Sequence, residues 1–303
     1  MSNFNNNAYQ SLVEDLIGDT FYKDTSVSGK IAFVRKYAEV VIRKILDVDP
    51  NEAVTLGAKK IQDRIKKLPD YEFVETAVET VRGKGNQSIH TQYLERFSSE
   101  DFDSVVDGLF DMLSYLLISY FQKYEFGSRN DVLNSFSMLP PIIRYKVLLF
   151  LHKKYPKNIS IIDKLVLAIV KAFNVDEATA WVEGKKQDLI KLDTVTENAF
   201  NEISENKGIE IAKFIKNISP DNMYILCKSK ISEVGELING NGALYLDFES
   251  ALPYYEKNGI LTGNDPETTE FNDIMNFLYM GRKEKIKEIS NEGNPYVILN
   301  FMF

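Results

Sequence analysis

Residues 98–121 read SSEDFDSVVDGLFDMLSYLLISYF. Ser98 and Ser99 are N-cap candidates, because their hydroxyls can accept from the unpaired amides of a first helical turn. Glu100 and Asp101 then place negative charge where the helix dipole favours it. Beyond them Phe102, Val105, Val106, Leu109, Phe110, Leu113, Leu116, Leu117 and Tyr120 recur on a helical period until the segment is apolar nearly all round. Such a helix belongs inside a bundle or at an interface. Its longest apolar run, Met112 to Phe121, contains Ser114 and Ser119 and falls short of the ~18–20 residues that cross a bilayer.

Working outward, residues 28–47 offer Ser28 as an N-cap and then Ile31, Val34, Ala38, Val41, Ile42 and Ile45 at three- and four-residue steps. Asp47, Asp49, Pro50 and Asn51 end that helix. A second helix is expected over Ala53 to Leu68 and a third over Tyr71 to Val81, with Gly83 and Gly85 interrupting it and Asn86 opening a short stretch through His90. Short polar connections make residues 1–127 an antiparallel helical bundle. Gly127-Ser128-Arg129-Asn130 reads as the boundary to a second helical region, 128–205, with helices from Pro140-Pro141 to Leu151, Ile161 to Phe173 and Asp176 to Leu192. Residues 206–303 read as a small α+β region, with strands expected at Met223 to Cys227, Ala243 to Phe248 and Tyr296 to Phe303. The fold class is mainly α.

A net charge of −8 repels polyanions on average and disfavours a broad nucleic-acid-coating role, so any phosphate site must be local. The single cysteine, Cys227, excludes an internal disulfide framework and reads as a core residue in a reducing compartment. The N-terminal MSNFNNNAYQSLVEDLIG lacks a basic start followed by an apolar run. A cytoplasmic protein without a membrane span is expected. The glycines at 83 and 85 do not have P-loop spacing, and neither H-E-x-x-H nor an EF-hand loop occurs. With His90 and His152 as the only histidines, a zinc site is disfavoured, and no cofactor or metal is expected. His152 is expected near the solvated end of a helix, without a role.

The stretch Arg82-Gly83-Lys84-Gly85-Asn86-Gln87-Ser88-Ile89-His90 gathers a guanidinium, a carboxamide and an imidazole within nine residues. Asn86 and His90, four apart, share one face of a helix. The two glycines would let the backbone bend so that Arg82 returns to the same point. An anion held by Arg82 could then be worked on by His90.

The pattern R-x-x-G-N-x-x-x-H following a helix resembles one branch of the HEPN superfamily of helical-bundle nucleases and nuclease-like modules. Three further features of that branch are matched. Arg35 and Glu39 stand as R-x-x-x-E in IAFVRKYAEVVIRKIL, LGAKKIQDRIKKL follows as a short helix, and SSEDFDSVVDGLFDMLSYLL closes the unit. The likeness covers residues 25–125.

The resemblance implies a metal-independent endoribonuclease, toxin-like or a phage-defence effector. In such enzymes an Arg-polar-x-x-x-His segment from each protomer of a homodimer faces its twin across the N-terminal bundles. Carried over, the catalytic residues are Arg82, Asn86 and His90, with Arg35 and Glu39 in support, and Gly85 stands where the nuclease motif has Arg. RNA is the implied substrate, and the C-terminal half is expected to meet a protein or small-molecule regulator. The alternative is a non-catalytic HEPN-like interaction module that dimerises through Phe102 to Phe121. There His90 hydrogen-bonds within the bundle, Asn86 caps its helix and Arg35–Glu39 is an i, i+4 pair worth about 0.2–0.5 kcal/mol.

Overall fold

The computed structural model describes residues 4–89, 96–242 and 245–284, and every regular element among them is a helix. In chain order these are α1 (Asn6–Ile17), continued by a π-helical turn over Gly18–Tyr22, α2 (Val27–Ile45), α3 (Lys59–Ile65), α4 (Tyr71–Ile89), α5 (Ser99–Lys123) and α6 (Asn130–Phe136). There follow α7 (Pro141–Lys154), α8 (Ile159–Ala172), α9 (Val175–Gly184), α10 (Lys186–Leu189), α11 (Glu197–Lys207), α12 (Ile209–Ile218), α13 (Met223–Asn241), α14 (Phe248–Asn258) and α15 (Pro266–Tyr279). The chain forms two compact units, one from Met1–Leu139 with Ala251–Glu284 and one built on Pro140–Ser250.

Helix α5 begins as its sequence dictates. Ser98 Oγ accepts from the Asp101 amide at 3.3 Å, and the Asp101 carboxylate accepts from the Ser98 amide at 3.0 Å, a reciprocal capping box. Its apolar length is then enclosed by α2 and α4, with Leu109, Met112, Leu113, Leu117 and Ile118 fully buried. By length and hydropathy α5 is long enough to cross a bilayer, and most of it is buried, which is the setting of a core helix. Between Leu109 and Phe121 the side chains are buried within their own chain, except Phe110, Asp111 and Ser119, which are half-buried.

The first unit is closed by a segment far away in sequence. Lys44, nearly buried, donates to Asp273 on α15 at 2.5 Å and to Asn6 on α1 at 3.1 Å. Tyr120 of α5 packs on Phe271 with ring centroids 5.2 Å apart. Ser135 donates to the Gly259 carbonyl at 2.5 Å. This division differs from the expected 1–127, 128–205 and 206–303, because contacts between residues more than a hundred positions apart leave no local mark in the sequence.

The second unit is a helical core of α7, α8, α9 and α13, with α11 and α12 as a hairpin. No strand occurs among the described residues. Met223 to Cys227, expected as a strand, is the opening of α13, capped by Asn222. Met223, Cys227, Ile231 and Val234 are buried at steps of four, four and three, a helical period that overrides the local β propensity. Of Ala243 to Phe248, Tyr245 to Asp247 are irregular and Phe248 starts α14, while residues 243–244 and Tyr296 to Phe303 lie outside the described residues. His152 lies in the last turn of α7, as expected, but its own side chain is buried, edge-on to Trp181 at 5.3 Å.

Candidate functional site

The sequence-predicted residues fall where α2 and α4 run antiparallel. Helix α2 is capped by Ser26, whose Oγ accepts from the Gly29 amide at 3.2 Å, rather than by Ser28. Ser28 donates across to the Ser88 carbonyl of α4 at 3.1 Å. From there the two helices approach so closely that one position has no room for a side chain. A β-carbon on Gly85 would lie 2.6 Å from Arg35 Cδ and 2.9 Å from Arg35 Cβ.

Helix α4 runs unbroken through Gly83 and Gly85 to Ile89, so the expected bend and the separate helix opened by Asn86 are not found. Each interior glycine costs a helix up to about 1 kcal/mol relative to alanine. At Gly85 the close seating of Arg35 offsets that cost, whereas Gly83 faces open space. On a continuous helix Arg82 and Asn86, both half-buried, share one face through their i, i+4 spacing. Their convergence comes from helical period and not from a kink.

Arg82 is not idle. Its Nε and Nη2 donate to Glu79 Oε2 at 3.2 and 2.5 Å, while its Nη1 lies 3.5 Å from where a β-carbon on Gly57 would stand. The adjacent residue, Leu56, gives a backbone hydrogen bond to the Glu39 carboxylate. Burial pushes the Glu39 carboxyl above the usual carboxylate range, against the opposing pull of Arg35 and of that hydrogen bond. Arg35 Nε is buried and has no hydrogen-bond partner among the described residues.

Arg35, Glu39, Arg82 and Gly85 therefore lie around one neighbourhood, walled by α2, α4 and the Leu56-Gly57 loop, with Asn86 next in line after Gly85. His90, the predicted acid–base group, lies outside the described residues. Sequence reasoning missed Glu79, Leu56 and Gly57. Glu79 was findable, since an acid three positions before an arginine on a helix is a ready partner. The loop pair opens the LGAKKIQDRIKKL stretch, but that pattern reads as a helix and not as a wall of the site. Lys84, also overlooked, pairs with Asp101 at 2.5 Å and ties α4 to the start of α5. That ammonium, with the Ser98 amide, holds the Asp101 carboxyl below its usual range.

Among the described residues, no three His, Cys, Asp or Glu side chains gather to hold a metal ion. The chemistry on offer is that of two guanidiniums, a half-buried carboxyl and a carboxamide: anion binding and charge neutralisation. No family model, curated protein or solved structure matches the chain.

Proposed function

We propose that the first unit is a HEPN-type, metal-independent endoribonuclease centre, with Arg35 supplying the cation that the motif lacks at Gly85. The observation that carries this reading is the seating of Arg35 over Gly85, in the space that a side chain at position 85 would enter. An arginine of α2 thus stands in for one of α4, directly before Asn86, and Arg82 follows one turn away. In the proposed reaction the RNA 2′-hydroxyl attacks the adjacent phosphorus and the 5′-oxygen leaves. His90 relays the proton, Asn86 orients it or the phosphate, and the guanidiniums of Arg35 and Arg82 neutralise the charge that develops on the non-bridging oxygens. The protein acts as a toxin-like or defence effector in this reading, with the second unit meeting a protein or small-molecule regulator.

The test is cleavage of RNA pools by the purified full chain in excess EDTA. His90→Ala is expected to lower turnover about 10²–10⁴-fold, with helical content and melting temperature unchanged. Arg35→Lys keeps the stem and charge but loses the forked donors, so turnover falls while folding holds. Absence of cleavage in every pool, together with destabilisation by both His90→Ala and Arg82→Ala, overturns the proposal.

The second reading, a non-catalytic interaction module, is favoured by one contact: the two-point hold of Arg82 on Glu79. Under it Arg82 and Glu79 are a structural pair, and Arg82→Ala costs stability instead of turnover.

A further inference from the structure

A short connection folds α8 back along α7, and the two helices pack side by side in the second unit. Antiparallel packing sets the first turn of α7, which carries Arg144, level with the last turn of α8, which carries Lys171. Lys164 precedes Lys171 by two turns on the same face of α8. Arg144 and Lys164 are buried and Lys171 is half-buried. The buried carboxylate of Asp163 is ion-paired with Lys230 of α13 and stands 3.9 Å from the Lys164 ammonium. Among the described residues Lys171 makes no hydrogen bond or ion pair, and the charges that act on it are those of Arg144 and Lys164. Burial, reinforced by repulsion from those two cations, brings its amine down to about 7. At neutral pH much of it is therefore an uncharged nucleophile, in surroundings that disfavour a cation and favour an anion.

We propose that Lys171 is a carbamylation site, its ε-amine taking up carbon dioxide to form a carbamate stabilised by the Arg144 and Lys164 cations. The amine lone pair attacks the carbon of carbon dioxide, one C=O π pair moves onto oxygen, and the proton released from nitrogen passes to solvent. A positive group becomes a negative one, so two repulsions turn into two attractions in a site with little water to screen them. Lys164 has an amine brought down to about 8, chiefly by burial, but a carbamate there would stand against the Asp163 carboxylate. Lys171 has no such neighbour among the groups that act on it. A reagent of three atoms also needs no large pocket to reach a seam between packed helices. The site belongs to the second unit alone and does not rest on the ribonuclease reading.

The test incubates the full chain at about pH 7.5 with bicarbonate equilibrated with carbon dioxide, fixes carbamates as ethyl esters with triethyloxonium ion, and maps them by peptide mass spectrometry. The ester is expected on Lys171, about tenfold or more above exposed Lys153. With isotope-labelled bicarbonate, a carbamate carbon resonance should appear in wild type and vanish in Lys171→Arg, whose guanidinium stays protonated. At constant pH, carbon dioxide should raise the unfolding midpoint of wild type, as a ligand of the folded state does, and leave that of Lys171→Arg unmoved. Lys171→Met, which has no amine, gives the same comparison where the arginine variant folds poorly. The proposal is overturned by no ester on Lys171, by equal ester on Lys171 and Lys153, or by a wild-type midpoint that carbon dioxide leaves where it was.

Discussion

An alanine methyl at Gly85 would run into the base of the Arg35 side chain, not its mobile tip, because Arg35 Cβ itself would be 2.9 Å away. Gly85→Ala is therefore expected to destabilise the protein by about 1–3 kcal/mol. Gly83→Ala, two residues earlier with nothing within reach, should stabilise it by about 0.4–1 kcal/mol. Paired denaturant titrations measure both. Sequence treats the two glycines as equivalent helix breakers, since the distinction lies in what each faces across the bundle. His152 offers a second residue-level test. Burial lowers its pKa from the ordinary 6.5, helped by repulsion from Lys185 and opposed by Asp188. The unfolded chain then takes up the proton first, so stability is lost as pH falls below about 6.5. The gap in unfolding midpoint between wild type and His152→Gln should shift in favour of the variant from about pH 7.5 to about pH 5.5.

At the scale of elements, α5 shows which signals survive folding. Its cap, its length and its apolar character were all legible, because each is encoded within a few residues of where it acts. What encloses it was not legible. A helix apolar on every side does not say which elements of its own chain cover it, and here these are α2, α4 and α15. Leu117, fully buried, should cost about 2–5 kcal/mol on replacement by alanine, with no change in sedimentation of the native protein. Ser98→Ala should cost about 0.5–2 kcal/mol through loss of the cap. In the candidate site the α4 residues were legible as a motif and Arg35 as part of a pattern. The seating of one on the other was not, since nothing in a helix repeat specifies which turn of α2 meets which turn of α4. For α13 the burial spacing of Met223, Cys227 and Ile231 was present in the sequence but outweighed in that reading by a short apolar run.

At the scale of the whole molecule, the first unit is built from two stretches separated by the residues of the second. A fragment of residues 1–139 lacks Asp273 beside buried Lys44 and Phe271 beside Tyr120. An uncompensated buried ammonium is costly. The fragment is expected to bind hydrophobic dye and to melt without a cooperative transition, and a peptide of residues 251–284 added in trans should restore the transition. A cooperative melt of the fragment alone, by circular dichroism, would contradict this.

The same interruption has a consequence in time. Chains leave the ribosome at roughly 5–20 residues per second, so the stretch ending at Leu139 waits roughly 7–30 s for the segment ending at Glu284 to be made. The described residues of the second unit are complete before the first can close. Arg35 and Gly85 are translated early, but the unit that contains them is complete only once Glu284 has been made. If the Arg35–Gly85 seating needs the closed unit, a ribosome-stalled chain ending before residue 251 is expected to lack whatever chemistry the site performs, and one extended well past Glu284 to have it.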